Sequence, residues 1–245
     1  MPHPSIDLEA LLETTARERE AVTDPAATLG LVTIGQTPRP DFEALFREHA
    51  PRAAVRIVGA LDGLTTGEVA RLASRQDHQP LLVRLADGSA AAVPARRIIP
   101  RVKRAARRLA GDGASLVVVL CAGTFPRIDC GVPAIVPGRL VPAVMRSASR
   151  TRRLGVVTPL AAQAEAARAK WEGDGFSVEV TWASPTRHDE IGMAARAMSH
   201  ADLEFVVLDC MGHDEAYRLE FARLCGRPVV AVQTLVARVV GALVG

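Results

Sequence analysis

Two cysteines carry the most informative chemistry in this chain. Cys121 closes the apolar run Leu116-Val117-Val118-Val119-Leu120, and Cys210 closes Phe205-Val206-Val207-Leu208-Asp209. A glycine-containing turn follows each, Ala122-Gly123-Thr124 and Met211-Gly212-His213. A thiolate and a thiol on opposite sides of a bound acid form a base and acid pair, which can take a proton from one face of a carbon and return it to the other. A helix N-terminus lowers a thiol pKa from its usual value of about 8.5, so a thiolate is expected to be within reach near neutral pH. A lone cysteine ending an apolar strand is ordinary core. The matched placement of two of them in two halves of the chain points to a shared site.

The elements that must position these thiols form a diverged internal repeat. Leu29-Gly30-Leu31-Val32-Thr33 is echoed by Leu154-Gly155-Val156-Val157-Thr158, and Val132-Pro133-Ala134-Ile135-Val136 by Arg227-Pro228-Val229-Val230-Ala231. Short apolar runs alternate with amphipathic stretches, the order of parallel strands joined by helices. Strands are predicted near 29–34, 54–59, 116–121 and 133–136, with helices near 40–49, 65–74 and 95–110. An Asp87-Gly88 turn predicts a hairpin from Pro80 to Pro94. In the second half, strands are predicted near 153–158, 176–182, 203–209 and 228–232, with helices near 160–172, 187–200, 213–225 and 233–243. The expected organisation is an α/β protein with two flavodoxin-like lobes whose parallel sheets are related by a pseudo-twofold axis, with a ligand cleft between them. Residues 1–28 read as an N-terminal extension, 29–140 as the first lobe and 141–245 as the second, whose last helix can pack on the first.

In open α/β sheets, ligands bind beyond the carboxyl ends of the strands, where unpaired amides and turn residues meet anions. In the first half this places Thr33, Gly35, Gln36 and Arg39 of Thr33-Ile34-Gly35-Gln36-Thr37-Pro38-Arg39 at the cleft. Arg39 can clamp a carboxylate in a bidentate pair or pair with Asp41 or Glu43 at the helix start. Thr158 occupies the position of Thr33 in the second half and is its paired candidate for anion contact. Around the first cysteine, Ala122 and Gly123 let backbone amides approach a ligand, and Thr124 offers a hydroxyl. Around the second stand Met211, Gly212 and His213; His213, in the first helical turn, would tune Cys210 or relay a proton. Asp62 reads as a turn former ahead of a helix cap at Thr65 or Thr66, and Ser184-Pro185-Thr186 as its second-half counterpart.

Bulk composition narrows the classes. The chain has 245 residues, of which 49% are hydrophobic and 23% charged, as in a packed globular protein. No apolar run is long enough to span a bilayer, and residues 1–28 lack the apolar core of a secretory signal, so a cytoplasmic enzyme is the expectation. The four cysteines (121, 130, 210, 225) show no CxxC spacing, which argues against a metal site; Cys130 and Cys225 read as incidental thiols. The net charge is +3, and Lys103 and Lys170 are the only lysines. Seven basic residues fall between Arg96 and Arg108, but Ile98, Val102, Ala105 and Leu109 recur at helical spacing, so the charges form a solvated face and no nucleic-acid partner is expected.

Thr33-Ile34-Gly35-Gln36-Thr37-Pro38-Arg39, Gly59-Ala60-Leu61-Asp62-Gly63-Leu64, Cys121-Ala122-Gly123-Thr124-Phe125 and Leu208-Asp209-Cys210-Met211-Gly212 together resemble the AroM family. That family is similar to the aspartate/glutamate/hydantoin racemase superfamily. The resemblance implies two flavodoxin-like lobes and a cleft flanked by two catalytic cysteines without a cofactor. It carries Cys121 and Cys210 over as the acid/base pair and Thr124 as a carboxylate contact, and it implies a homodimer. Superfamily racemases often have a threonine directly after the second cysteine, where this chain has Met211. The expected activity is racemisation or epimerisation of an amino acid or related α-substituted carboxylate. The alternatives are a related isomerase, decarboxylase or hydantoin racemase, or a protein that binds a carboxylate metabolite without turnover.

Overall fold

Glycine at the same position of each repeat's first strand sets how closely helices approach the sheets. A Cβ on Gly30 would stand 3.1 Å from both Leu109 and Ala114, and one on Gly155 would stand 2.6 Å from the Met198 sulfur. These are the places where a helix lies flush on the first strand of each half. The computed structural model describes residues 27–73, 80–199 and 202–245, so most of the expected N-terminal extension lies outside the described residues.

The first half runs β1 (Thr28–Thr33), α1 (Pro40–His49), β2 (Ala54–Gly59), α2 (Thr66–Ala73), then the hairpin β3 (Pro80–Arg84) and β4 (Ala90–Pro94), α3 (Ala95–Gly111), β5 (Leu116–Leu120), β6 (Ala134–Ile135) and α4 (Pro137–Ala148). The second runs β7 (Arg153–Thr158), α5 (Ala164–Gly173), β8 (Ser177–Trp182), α6 (Ile191–Ser199), β9 (Phe205–Leu208), α7 (Glu215–Cys225), β10 (Val229–Ala231) and α8 (Val232–Val244). The first sheet has the order β2-β1-β5-β6 and the second β8-β7-β9-β10, all parallel. The two orders are identical once β1 is matched to β7, so the fold is an α/β repeat of two lobes. The antiparallel hairpin β3–β4 has no counterpart among the described residues of the second half.

Register fixes the equivalences. Thr33 lies opposite Leu120, and Val157 opposite Leu208, so Thr158 stands beside Asp209 and each cysteine is the next residue on. Alternation then sorts side chains by face. Leu29, Leu31, Leu116, Val118, Leu120, Leu154 and Val156 enter one core shared with Phe42, Phe46, Met145, Trp171, Val236 and Val240. That core lies between the sheets, built on α1, α4, α5 and α8. Val32, Val117 and Val119 face a second core with Ile98, Val102 and Leu109 of α3. Val157, Val206 and Leu208 face a third with Met198 and Phe221. Helix α3 buries Ile98, Val102, Ala106 and Leu109, which leaves Arg104, Arg107 and Arg108 exposed.

Local chemistry explains several boundaries. Thr65 is the cap of α2 in a capping box: its hydroxyl accepts from the Glu68 amide, and its own amide donates to the Glu68 carboxylate at 2.8 Å. Asp62 does more than form a turn. Its carboxylate accepts from the Gly59 amide at 2.6 Å and from the Thr37 amide at 2.8 Å, bracing two loops together. The link between the halves is held by Glu204, which accepts from the amides of Arg150 and Thr151 at 2.8 Å and from Ser149. Those bonds lower its pKa to about 2. No helix among the described residues is long and apolar enough to cross a membrane.

Candidate active site

The carboxyl ends of both sheets open on one cavity of about 630 Å³. Thr33, Arg39, Cys121, Ala122, Gly123 and Thr124 line it from the first half, and Thr158, Cys210, Met211 and Gly212 from the second. Both cysteines are free, Cys121 buried and Cys210 half-buried. Their surroundings repeat. Gly123 donates its amide to the Cys121 sulfur at 3.4 Å, and Gly212 donates its amide to the Cys210 sulfur at 3.3 Å. Each thiol thus accepts from the glycine two residues on, the turn that the repeat places after each third strand.

The sequence predicts thiols with lowered pKa values, and the structure corrects this. Burial pushes Cys121 up to about 12 and Cys210 up to about 11. The glycine amides, Lys170 beside Cys121 and Arg39 beside Cys210 act in the opposite direction without overcoming it. Burial dominates, and no helix start lies at either sulfur to offset it. A non-helical stretch follows Cys121, and α7 begins only at Glu215.

Other expected site residues divide. Arg39 reaches the cavity while its Nη2 pairs with Asp41 at 2.6 Å and its guanidinium stacks 4.0 Å over the Phe42 ring. The helix-start ion pair open to it from the sequence is therefore formed. Its Nη1 makes only a long 3.4 Å contact with the Thr33 hydroxyl, which leaves this edge able to take a carboxylate. Burial raises the Asp41 pKa, and its bonds and charge contact with Arg39 more than offset this, leaving it lowered. Thr158 lines the cavity, but its hydroxyl donates to the Leu160 carbonyl at 2.9 Å, so that proton is committed to the backbone.

Gly35, Gln36 and His213 do not line the cavity. A Cβ on Gly35 would collide with the Arg84 carbonyl, and the Gln36 amide donates to that same carbonyl at 3.0 Å. The Gln36 side chain accepts from the Ala86 amide and donates to the carbonyls of Leu61 and Leu64. These two residues seat the hairpin. His213 precedes α7, whose cap is Asp214, so it is not in the first helical turn. Its ring is fully buried, bonded through Nε2 to the Ala183 carbonyl at 2.9 Å and packed on Tyr217. Burial lowers its pKa to about 4, which keeps it neutral.

One set of residues is not singled out by the sequence. Lys170 donates to the Asp209 carboxylate at 2.8 and 2.9 Å and to the Ala122 carbonyl at 2.8 Å. Trp171 adds a bond to Asp209 at 3.0 Å. Both charged side chains are nearly buried, at 7% and 6% exposure. The pair bridges the residue before Cys210 and the residue after Cys121. At the rim, Gln163 donates to the Pro80 carbonyl at 2.6 Å, tying the second half to the hairpin. The signal for Lys170 was its rarity in an arginine-rich chain; the signal for Asp209 was a charge ending an otherwise apolar strand. No cluster of metal-ligating side chains occurs among the described residues.

The two lobes with one strand order and one cavity between them define a class, an α/β fold shared with solved decarboxylase, racemase and isomerase structures. A family model described as AroM protein matches residues 29–244, and the chain belongs to the AroM family. Curated proteins give no match. Among solved structures, arylmalonate decarboxylase superposes with a TM-score of 0.58 at 16% identity, covering 89% of this chain and 91% of that one. Glutamate racemase from Aquifex pyrophilus gives 0.56 at 16% identity, over 89% and 84%. Maleate isomerase from Pseudomonas putida S16 gives 0.55 at 13% identity, over 89% and 91%. At these identities the likeness is one of fold, and these neighbours are all enzymes.

Proposed function

We propose that this chain is a cofactor-independent racemase or epimerase of an amino acid or related α-substituted carboxylate, with Cys121 and Cys210 working from opposite faces of the α-carbon. The observation that carries this reading is the repetition of the thiol environment. Two sulfurs at equivalent strand ends face one cavity, and each accepts an amide from the glycine two residues on. The free edge of Arg39 and the Thr124 hydroxyl bind the substrate carboxylate. One thiolate takes the α-proton, and the opposite thiol delivers its own proton to the other face, which inverts the centre. The thiol that ended protonated and the one that ended ionised then exchange a proton with water.

Both thiols sit well above the usual range, so the acid form dominates near neutral pH, and this favours a second reading in which only the acid form is used. In a decarboxylase, the bond between the α-carbon and one carboxylate breaks and carbon dioxide leaves. The carbanion then takes a thiol proton, and the thiolate recovers one from water. The solved neighbours support either reading, since those named act on arylmalonate, glutamate and maleate, all carboxylates.

Proton NMR of the protein with pooled amino acids and α-substituted acids in D2O tests both. Loss of an α-proton signal that disappears in Cys121→Ser supports racemisation. Consumption of substituted malonates with carbon dioxide release, and no exchange, supports the decarboxylase. Ligand-induced stabilisation with neither reaction, surviving both cysteine substitutions, leaves a binding protein.

A further inference from the structure

The hairpin β3–β4, present only in the first half among the described residues, forms part of the cavity wall. Side chains alternate along β3. Leu81 and Val83 enter the outer core, Leu81 also touching the cavity, while Pro80, Leu82 and Arg84 lie on the other face and line it. Leu82 is half-buried and belongs to none of the core clusters among the described residues, so its apolar surface is left to the cavity. Ile34 and Leu45 also line the cavity. The second half contributes Gln163, Ala166, Thr186 and Met211 to the lining. The cavity of about 630 Å³ is several times what a carboxylate and its α-carbon need, and the apolar side chains set among its charged ones, which include Arg39, Asp41, Arg84 and Lys170, suit an apolar ligand group.

We infer that the substrate carries a bulky apolar substituent, aryl or branched alkyl, on the carbon next to its carboxylate, and that Leu82 of the hairpin sets this preference. The inference rests on the reading that the cavity binds a carboxylate. The hairpin is held in place from both sides, by Gln36 in the first half and by Gln163 in the second. It therefore presents Leu82 as a fixed surface.

Calorimetric titration of the whole protein with acetate, succinate and phenylacetate at pH 7 tests the preference. Phenylacetate should bind at least about ten-fold more tightly than either of the others, the scale expected for burying one ring. Leu82→Asp should remove that preference, and Leu82→Trp should weaken phenylacetate while leaving acetate unchanged; both should melt within a few degrees of the parent. Succinate binding as tightly as phenylacetate, a preference that survives Leu82→Asp, or no binding of any of the three overturns the inference. Selective phenylacetate binding without α-proton exchange in D2O would sink the proton-transfer reading alone. Exchange of small polar amino acids without the preference would sink this inference alone.

Discussion

The two halves agree at the sulfurs and differ beside them. Each cysteine follows the third strand of its sheet and accepts the amide of the glycine two residues on. The residue before it is Leu120 in the first half, buried in the shared core, and Asp209 in the second, paired with Lys170. What repeats is the geometry that presents a thiol to the cavity; what differs is the charge next to it. Asp209 opposes ionisation of both thiols, while Lys170 favours that of Cys121 and Arg39 that of Cys210. The halves supply equivalent positions with inequivalent electrostatics, which suits the opposite protonation states of the proposed acid and base.

Replacing a thiol tests the equivalence most severely. Cys121→Ser and Cys210→Ser should each lower racemisation at least about a thousand-fold, the loss expected for removing a positioned acid or base. Deuterium uptake at the α-carbon in D2O should fall with it in each variant. Full racemisation in either variant would end the two-thiol account.

The charge difference is tested by stability. Lys170→Met should destabilise by about 3–5 kcal/mol, because it leaves Asp209 buried and unpaired. The double variant Lys170→Met with Asp209→Leu, which copies the Leu120 position, should recover most of that loss in a denaturant melt. If the single substitution is neutral, the pair is not a structural tie.

Gly30 and Gly155 give a smaller contrast. Alanine at Gly155 meets Met198, Leu203 and Val206 at 2.6–3.1 Å, whereas at Gly30 the nearest atoms stand at 3.1 Å. Gly155→Ala should cost about 1–3 kcal/mol, the usual range for overpacking, and Gly30→Ala less. The reverse order in thermal melts would show that the second half's helix yields more readily than the first's.

The pH dependence is the mildest test per unit. With thiols at about 11 and 12, the ionised base grows about ten-fold for each pH unit from 7 to 10, and the exchange rate should follow. A flat or falling profile would move the chemistry to the acid form. For stability, the raised values act in the opposite sense to a gain: a buried neutral thiol resists the ionisation that the unfolded chain undergoes above the ordinary thiol value, so folding is progressively disfavoured as pH rises from there towards 11 and 12. At the other end, Glu204 and His213, with pKa values lowered to about 2 and about 4, cost stability as pH falls below their ordinary values of 4.5 and 6.5.

Much of the fold was legible because parallel strands buried on both faces leave apolar runs, and Leu-Gly-Leu-Val-Thr and Leu-Gly-Val-Val-Thr mark the same strand twice. Cys121 and Cys210 could be paired from their positions in those runs. The electrostatics beside them could not, since Lys170 lies on a helix far in sequence from Ala122 and meets it only through tertiary packing. The sequence puts His213 in a helix that starts two residues further on, although Asp214 ahead of Glu215 is itself a cap signal. The hairpin was readable from its Asp-Gly turn; that it walls the cavity depends on Gly35 and Gln36, whose motif looked like a ligand loop and serves as a seat.

The helices between the sheets have a consequence for how the molecule comes apart. Leu31 and Phe46 of one half share a single core with Val156 and Trp171 of the other, and α8 packs on α1, where Gly241 approaches the His49 carbonyl closely. Each half is complete as a strand order, but the helices on the inner face of its sheet bury their other side only against those of the other half. The chain should therefore melt in one cooperative transition, and neither half expressed by itself should hold a native fold.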